Sequence, residues 1–186
     1  ISWARFDWRE RPKMKVTAQE EYGLRCLIQL AKCQAQGATL TIPEISAAEG
    51  LSGPYVGKLM SVLRNGGLVT GVRGRSGGYT LSRNPRAITL DEVLTILGGR
   101  LFTSNYCDKY HGSLENCVHT DDCTIRSVLE SIELILGSVL KRMTLADLIA
   151  THEDMRESLS AALRETLEDR RADVESEASH ESPTTR

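Results

Sequence analysis

The stretch between Thr41 and Leu81 constrains the fold more than any other part of the chain. Two short helical patterns meet at a glycine turn there and run straight into two strand-like segments around the tip Arg73-Gly74-Arg75-Ser76-Gly77-Gly78. The first helix opens on the capping box Thr41-x-x-Glu44, with Pro43 in its first turn, and stops at Gly50. A hydroxyl at the N-cap and a carboxylate three residues on satisfy amides that have no partner inside the helix, and glycine accepts the left-handed conformation that ends it. Ser52 is suited to cap the next helix, which tolerates Pro54 in its first turn, carries the apolar stripe Val56, Leu59, Met60 and Leu63, and ends at Asn65-Gly66-Gly67. Residues 68–72 and 79–81 then read as the two strands of a hairpin. The succession predicts a helix-turn-helix followed by a β-hairpin wing.

The flanking segments complete a domain. Thr17-x-x-Glu20 caps a helix with Leu24, Leu27, Ile28 and Ala31 at helical spacing, stopped by Gly37, and Thr89-x-x-Glu92 caps another through Val93, Leu94 and Leu97, closed by Gly98-Gly99. A winged-helix domain over 14–100 is expected, preceded by a charged extension, 1–13, that carries both tryptophans and no structural pattern. Periodicity disappears over 101–123. It returns in Ile125, Val128, Leu129, Ile132, Leu136, Val139, Leu140 and Met143, a long helix with Leu134 and Ile135 widening its apolar arc. Thr144-x-x-Asp147 caps a further stretch, and Met155, Leu159, Ala162, Leu163 and Leu167 mark a last helix. Helices are thus expected over 124–171 and a disordered acidic tail over 172–186. The class is mainly α with a small β-hairpin wing. With 186 residues and 40% hydrophobic side chains the chain has enough apolar surface for a core without disulfides. It contains no apolar run long enough to span a membrane and no secretory signal, so a cytoplasmic protein is expected.

Charge is distributed unevenly. Cut at Met14 and after Arg100, the pieces carry +2, +4 and −8. Between Glu49 and Asp91 there is no carboxylate at all, whereas Lys58, Arg64, Arg73, Arg75, Arg83 and Arg86 fall in that window. Such a window suits a polyanion, with a solvated basic face as the competing explanation. On the second helix of the pair, Ser52, Tyr55, Lys58 and Ser61 lie off the apolar stripe, near the end that enters a major groove of double-stranded DNA. Gly53 and Gly57 allow close backbone approach, and Arg73 and Arg75 equip the wing for phosphates or a narrow minor groove. No nucleophile–base pair, phosphate loop or paired-carboxylate site stands out, so an enzyme is not expected.

The long apolar helix needs a partner surface. A winged helix alone offers too little, so the helix is expected to pair with its copy in a homodimer that reads an operator by two-fold symmetry, with packing inside one subunit as the alternative. Three of the five cysteines, Cys107, Cys117 and Cys123, precede it with nine and five residues between them, and His111 and His119 lie inside the set. Thiolates gathered this way hold an iron–sulfur cluster, while Cys107, Cys117, Cys123 and His119 make an equally acceptable zinc set. Cys26 and Cys33, on the first helix, are expected as small buried hydrophobes. His152 and His180 read as surface residues.

Five segments, MKVTAQEEYGLR at 14–25, ISAAEGLSGPY at 45–55, VRGRSGGY at 72–79, ITLDEV at 88–93 and TLADL at 144–148, carry a resemblance. Together with the three-cysteine loop they resemble the family of winged-helix repressors that includes the iron–sulfur cluster regulator, the nitric-oxide-sensitive repressor and the rhizobial iron regulator. The resemblance covers Met14 to about Ile149. It implies a homodimeric DNA-binding regulator, a repressor, whose cluster state alters operator affinity in response to redox state, nitric oxide or iron, and it favours an iron–sulfur cluster, 2Fe–2S or 4Fe–4S, over zinc. Two departures stand out. The nine-residue first interval is longer than is usual for the family, and Arg126 stands where the iron–sulfur cluster regulator has a histidine ligand. The fourth ligand therefore has three candidates: His119, His111 and Glu21. Glu21 matches a position at which some members donate a carboxylate to the cluster of the other subunit.

Overall fold

The computed structural model describes residues 16–74, 77–98, 117, 119 and 123–180. Helix α1 (Ala18–Gln34) starts at the expected capping box, in which Glu20 N donates to Thr17 Oγ1 at 3.2 Å and Thr17 N donates to Glu20 Oε2 at 2.6 Å. Helix α2 (Ile42–Glu49) repeats the device with Thr41 and Glu44 and ends at Gly50 with φ 66°. Helix α3 (Gly53–Asn65) begins after Ser52, whose side chain makes no capping bond. Tyr55, not a carboxylate, stands three residues on, so the reciprocal bond that completes the box at Thr41 has no counterpart here.

Strands β1 (Val69–Val72) and β2 (Gly78–Leu81) pair antiparallel, in a register from Val69 opposite Leu81 to Val72 opposite Gly78. The wing has a third member that periodicity misses. Leu40 exchanges two backbone hydrogen bonds with Tyr79, at 3.0 and 2.7 Å. Gly78 permits this approach, because a Cβ there would lie 2.7 Å from the Leu40 carbonyl oxygen. A 3-10 turn (Pro85–Ala87) leads to α4 (Leu90–Leu97). The Thr89 box is only half formed: Thr89 accepts from Glu92 N, while the Glu92 carboxylate is taken by Arg83.

The C-terminal half consists of α5 (Thr124–Arg142), α6 (Leu145–Ile149) and α7 (His152–His180). It is tied to the winged helix by a two-bond bridge, Leu90 N to Met143 O and Leu145 N to Ile88 O, at 2.9 and 2.8 Å. The main core joins Leu27, Leu30, Ile45, Val56, Leu59, Met60, Leu63, Leu68, Ile88, Val93 and Leu97. Leu145 of α6 is fully buried in the same cluster, so the winged-helix core draws on a segment well beyond residue 100. A second cluster of Leu90, Val139, Met143 and Ala162 fastens the C-terminal end of α5 between α4 and α7.

Two expectations change here. The long helix is divided: its C-terminal end packs inside the subunit, whereas Ile125, Val128, Ile132 and Leu134 are 64, 58, 44 and 53% exposed. The expected disordered tail from Ala172 is helical backbone as far as His180. Residues 172–180 contain neither glycine nor proline and are rich in Ala and Glu, so nothing there stops a helix, and the next proline is Pro183.

Gly23 of α1 is buried against Leu97, and a Cβ there would overlap the Leu97 side chain. Gly23→Ala is expected to destabilise the fold by about 1–3 kcal/mol through overpacking. In chemical denaturation the midpoint should fall with the slope unchanged; an unmoved midpoint would show that α1 and α4 separate at no cost.

Candidate nucleic-acid interface and cysteine loop

The inward stripe of α3, Val56, Leu59, Met60 and Leu63, is fully buried, and this rotation of the helix leaves Ser52, Lys58 and Ser61 exposed on the other side. Gly53 and Gly57 are half-buried near Ser46 and Ile42 of α2. Tyr55 is not a free surface residue. Its half-buried ring packs edge-on against Tyr22 of α1, with ring centres 6.0 Å apart and planes at 88°. The Arg25 guanidinium lies 5.4 Å from the centre of the Tyr22 ring. Arg25 Nε also donates to Glu49 Oε2 at 2.6 Å and Arg25 Nη2 to the Glu49 carbonyl at 3.0 Å, while Gln29 Nε2 donates to Glu49 Oε1 at 2.6 Å. These α1 residues escape a reading of periodicity, because polar positions on an amphipathic helix look like its solvated face.

Of the six basic side chains in the acid-free window, Lys58, Arg64, Arg73 and Arg86 are exposed. Arg83 is paired with Glu92 and donates to the Ala87 carbonyl, so it is committed within the fold. Gly74 has φ 117°, a conformation that side chains other than glycine's rarely adopt, and a Cβ on Gly77 would lie 2.6 Å from the Val72 carbonyl oxygen. The wing tip therefore requires its glycines. Arg75 and Ser76 lie outside the described residues.

Cys117 and Cys123 are half-buried free thiols and His119 is exposed. Cys123 occupies the N-cap of α5, where its Sγ accepts from Arg126 N at 3.4 Å. Sulfur at the positive end of a helix dipole is placed to carry the negative charge of a metal-bound thiolate. These soft donors fit an iron–sulfur or zinc centre. Glu21 is exposed in the first turn of α1. Cys107 and His111 lie outside the described residues, and among the described residues of the single chain no three His, Cys, Asp or Glu side chains gather closely enough to hold a metal ion. Cys26 is fully buried, and burial, followed by the nearby Glu49 carboxylate, pushes its thiol up to about 11. That agrees with a core residue rather than a ligand. Cys33 is half-buried with its Sγ 3.9 Å from the Thr39 carbonyl oxygen.

A family model described as an iron-dependent transcriptional regulator, Rrf2, matches residues 16–151. The chain belongs to the Rrf2 family. It is 41% identical over 86 residues to the transcriptional regulator CymR of Bacillus subtilis, a match that covers 46% of this chain and 62% of that relative, less than two thirds of its length. It is 29% identical over 136 residues to the transcriptional regulator IscR of Yersinia enterocolitica, covering 73% and 79% of the two chains. Among solved structures it is similar to T. potens IscR, with TM-score 0.58, 32% identity and coverage of 73% and 85%. It is also similar to B. subtilis CymR, titled a global cysteine regulator, with TM-score 0.59, 31% identity and coverage of 73% and 95%. These Rrf2 relatives are named transcriptional regulators, not enzymes, and this Rrf2 protein is a winged-helix DNA-binding regulator. Among its described residues no helix is long and apolar enough to cross a membrane.

Proposed function

We propose that this Rrf2 chain is a homodimeric cytoplasmic repressor that senses redox state, nitric oxide or iron through an iron–sulfur cluster held by Cys107, Cys117 and Cys123. The observation that carries the reading is the path of α5. Cys123 caps its N-terminus, and its other end, Val139 and Met143, packs with Leu90 of the winged-helix domain. Ligands at one end of a stiff helix and the DNA-binding domain at the other give ligand geometry a lever on the spacing of two recognition helices, which must match the operator half-sites. When bound, the cluster supplies a redox-active centre whose potential the surrounding hydrogen bonds tune. Lys58 and Ser61 face base edges, Ser52 and Tyr55 stand at the groove end of α3, and Arg73 and Arg75 meet the backbone from the wing.

Arg75→Ala should weaken binding to duplex DNA and lower the salt slope by about one unit for each phosphate it no longer neutralises. Equal affinity and slope across several salt concentrations would remove the wing from the interface. Lys58→Ala should reduce binding to a duplex selected by the wild-type protein from a randomised pool more than binding to a scrambled duplex; an equal loss on both would make Lys58 a phosphate contact.

Glu21, donated by the partner subunit, is the fourth ligand in this reading. Oxygen ligation by a carboxylate is weaker than ligation by thiolate and leaves one iron open to exchange or attack. Anaerobic absorption spectra of Glu21→Ala, His119→Ala and His111→Ala decide among the candidates. A shift confined to Glu21→Ala is expected, and a shift confined to a histidine variant would overturn the cross-subunit arrangement.

A further inference from the structure

We infer that Tyr22, Arg25 and Gln29 of α1 form a clamp that sets the pose of the recognition helix α3, which makes Arg25 a positioning residue for sequence-specific DNA binding rather than a phosphate contact. Glu49 is the last residue of α2, and only Gly50, Leu51 and Ser52 separate it from α3. The angle between the two helices is set in that turn. Both oxygens of the Glu49 carboxylate and its backbone carbonyl are taken by Arg25 and Gln29, in three hydrogen bonds of 2.6, 3.0 and 2.6 Å. The Glu49 side chain is 7% exposed, so its charge depends on Arg25 for compensation, while the Arg25 side chain remains 40% exposed. One turn earlier, Tyr22 carries the Arg25 guanidinium over its ring and meets Tyr55, in the first turn of α3, edge-on. The clamp thus grips α3 from both sides of the turn, through the end of α2 and through Tyr55.

The inference rests on α3 being the helix that meets DNA, and the test separates the two. Wild type, Arg25→Ala, Arg25→Ala with Glu49→Gln, and Lys58→Ala are titrated, over several salt concentrations, against a duplex selected by the wild-type protein and against a scrambled duplex. A clamp predicts that Arg25→Ala lowers affinity for the selected duplex by about tenfold or more, as expected when a buried charge loses its hydrogen-bonded partner. Affinity for the scrambled duplex and the salt slope should hold, and adding Glu49→Gln, which removes the orphaned charge, should recover part of the loss. Equal losses on both duplexes with a slope lower by about one would make Arg25 a phosphate contact and overturn the clamp. So would unchanged affinity, or no recovery on adding Glu49→Gln. If Arg25→Ala fails to fold by circular dichroism, Tyr22→Leu, which breaks the ring contact with Tyr55 without orphaning a charge, must show the same selective loss. Lys58→Ala with no effect on either duplex would instead remove α3 from the DNA, whatever Arg25 does.

Discussion

Ile132→Glu is expected to convert the protein to monomers and to weaken binding to a two-half-site operator by about 10²–10⁴-fold. Ile125, Val128, Ile132 and Ile135 recur at intervals of three, four and three along α5, which places them on one face, and all are exposed in the single subunit. An apolar stripe of this length marks an interaction surface. In a two-fold arrangement the introduced carboxylate would be driven into an apolar interface beside its own copy, and an unpaired charge buried there costs several kcal/mol. The stripe lies outside both apolar clusters of the subunit, so the fold itself should persist. The affinity loss follows from linkage. A dimer binds its second half-site at a high effective concentration, and a monomer forfeits that advantage of about 10²–10⁴-fold. Sedimentation equilibrium and duplex titration check both parts, and an Ile132→Glu protein that stays dimeric would place the dimer contact elsewhere.

Cys117→Ala and Cys123→Ala should each abolish the cluster and hold the protein in a single DNA-binding state that no longer responds to oxidant, nitric oxide or iron removal. The expected change in iron content is from near stoichiometric to near zero, because a cluster with one of its three cysteine ligands removed is not retained. Cys123 also caps α5, and loss of a cap costs about 1 kcal/mol, too little to unfold the subunit or break the dimer. Metal analysis, melting temperature and size therefore separate loss of a ligand from loss of fold. Iron retained at the wild-type level in either variant would strike that cysteine from the ligand set.

The winged helix was legible because its signals are local. Threonine with a carboxylate three residues on forms the complete box at Thr17 and Thr41, and Gly50 ends α2 in the left-handed conformation that its position demands. The same logic misleads where a neighbour intervenes. Arg83 draws the Glu92 carboxylate away from Thr89, so that box is only half formed. Long-range features left no periodic trace. Leu40 joins the wing as a single residue between a turn and a cap, and α6 enters the winged-helix core from beyond a long stretch of sequence without apolar periodicity. Exposure of Lys58 and Ser61 could be read from the inward stripe, since a helix that buries one face must show the other. The engagement of Tyr55 with Tyr22, and of Glu49 with Arg25 and Gln29, could not be read, because each pair is made by tertiary packing of helices separated in sequence.

Anaerobic purification, followed by iron, acid-labile sulfide and zinc analysis and by duplex titration before and after oxidative cluster loss, tests the central claim most directly. Protein carrying iron and sulfide, coloured in the visible range, whose affinity for the selected duplex changes on cluster loss while it stays folded and dimeric, is the predicted result. Colourless protein with bound zinc, and a duplex affinity indifferent to that treatment, would contradict it and leave a DNA-binding module stabilised by zinc on Cys107, Cys117, Cys123 and His119.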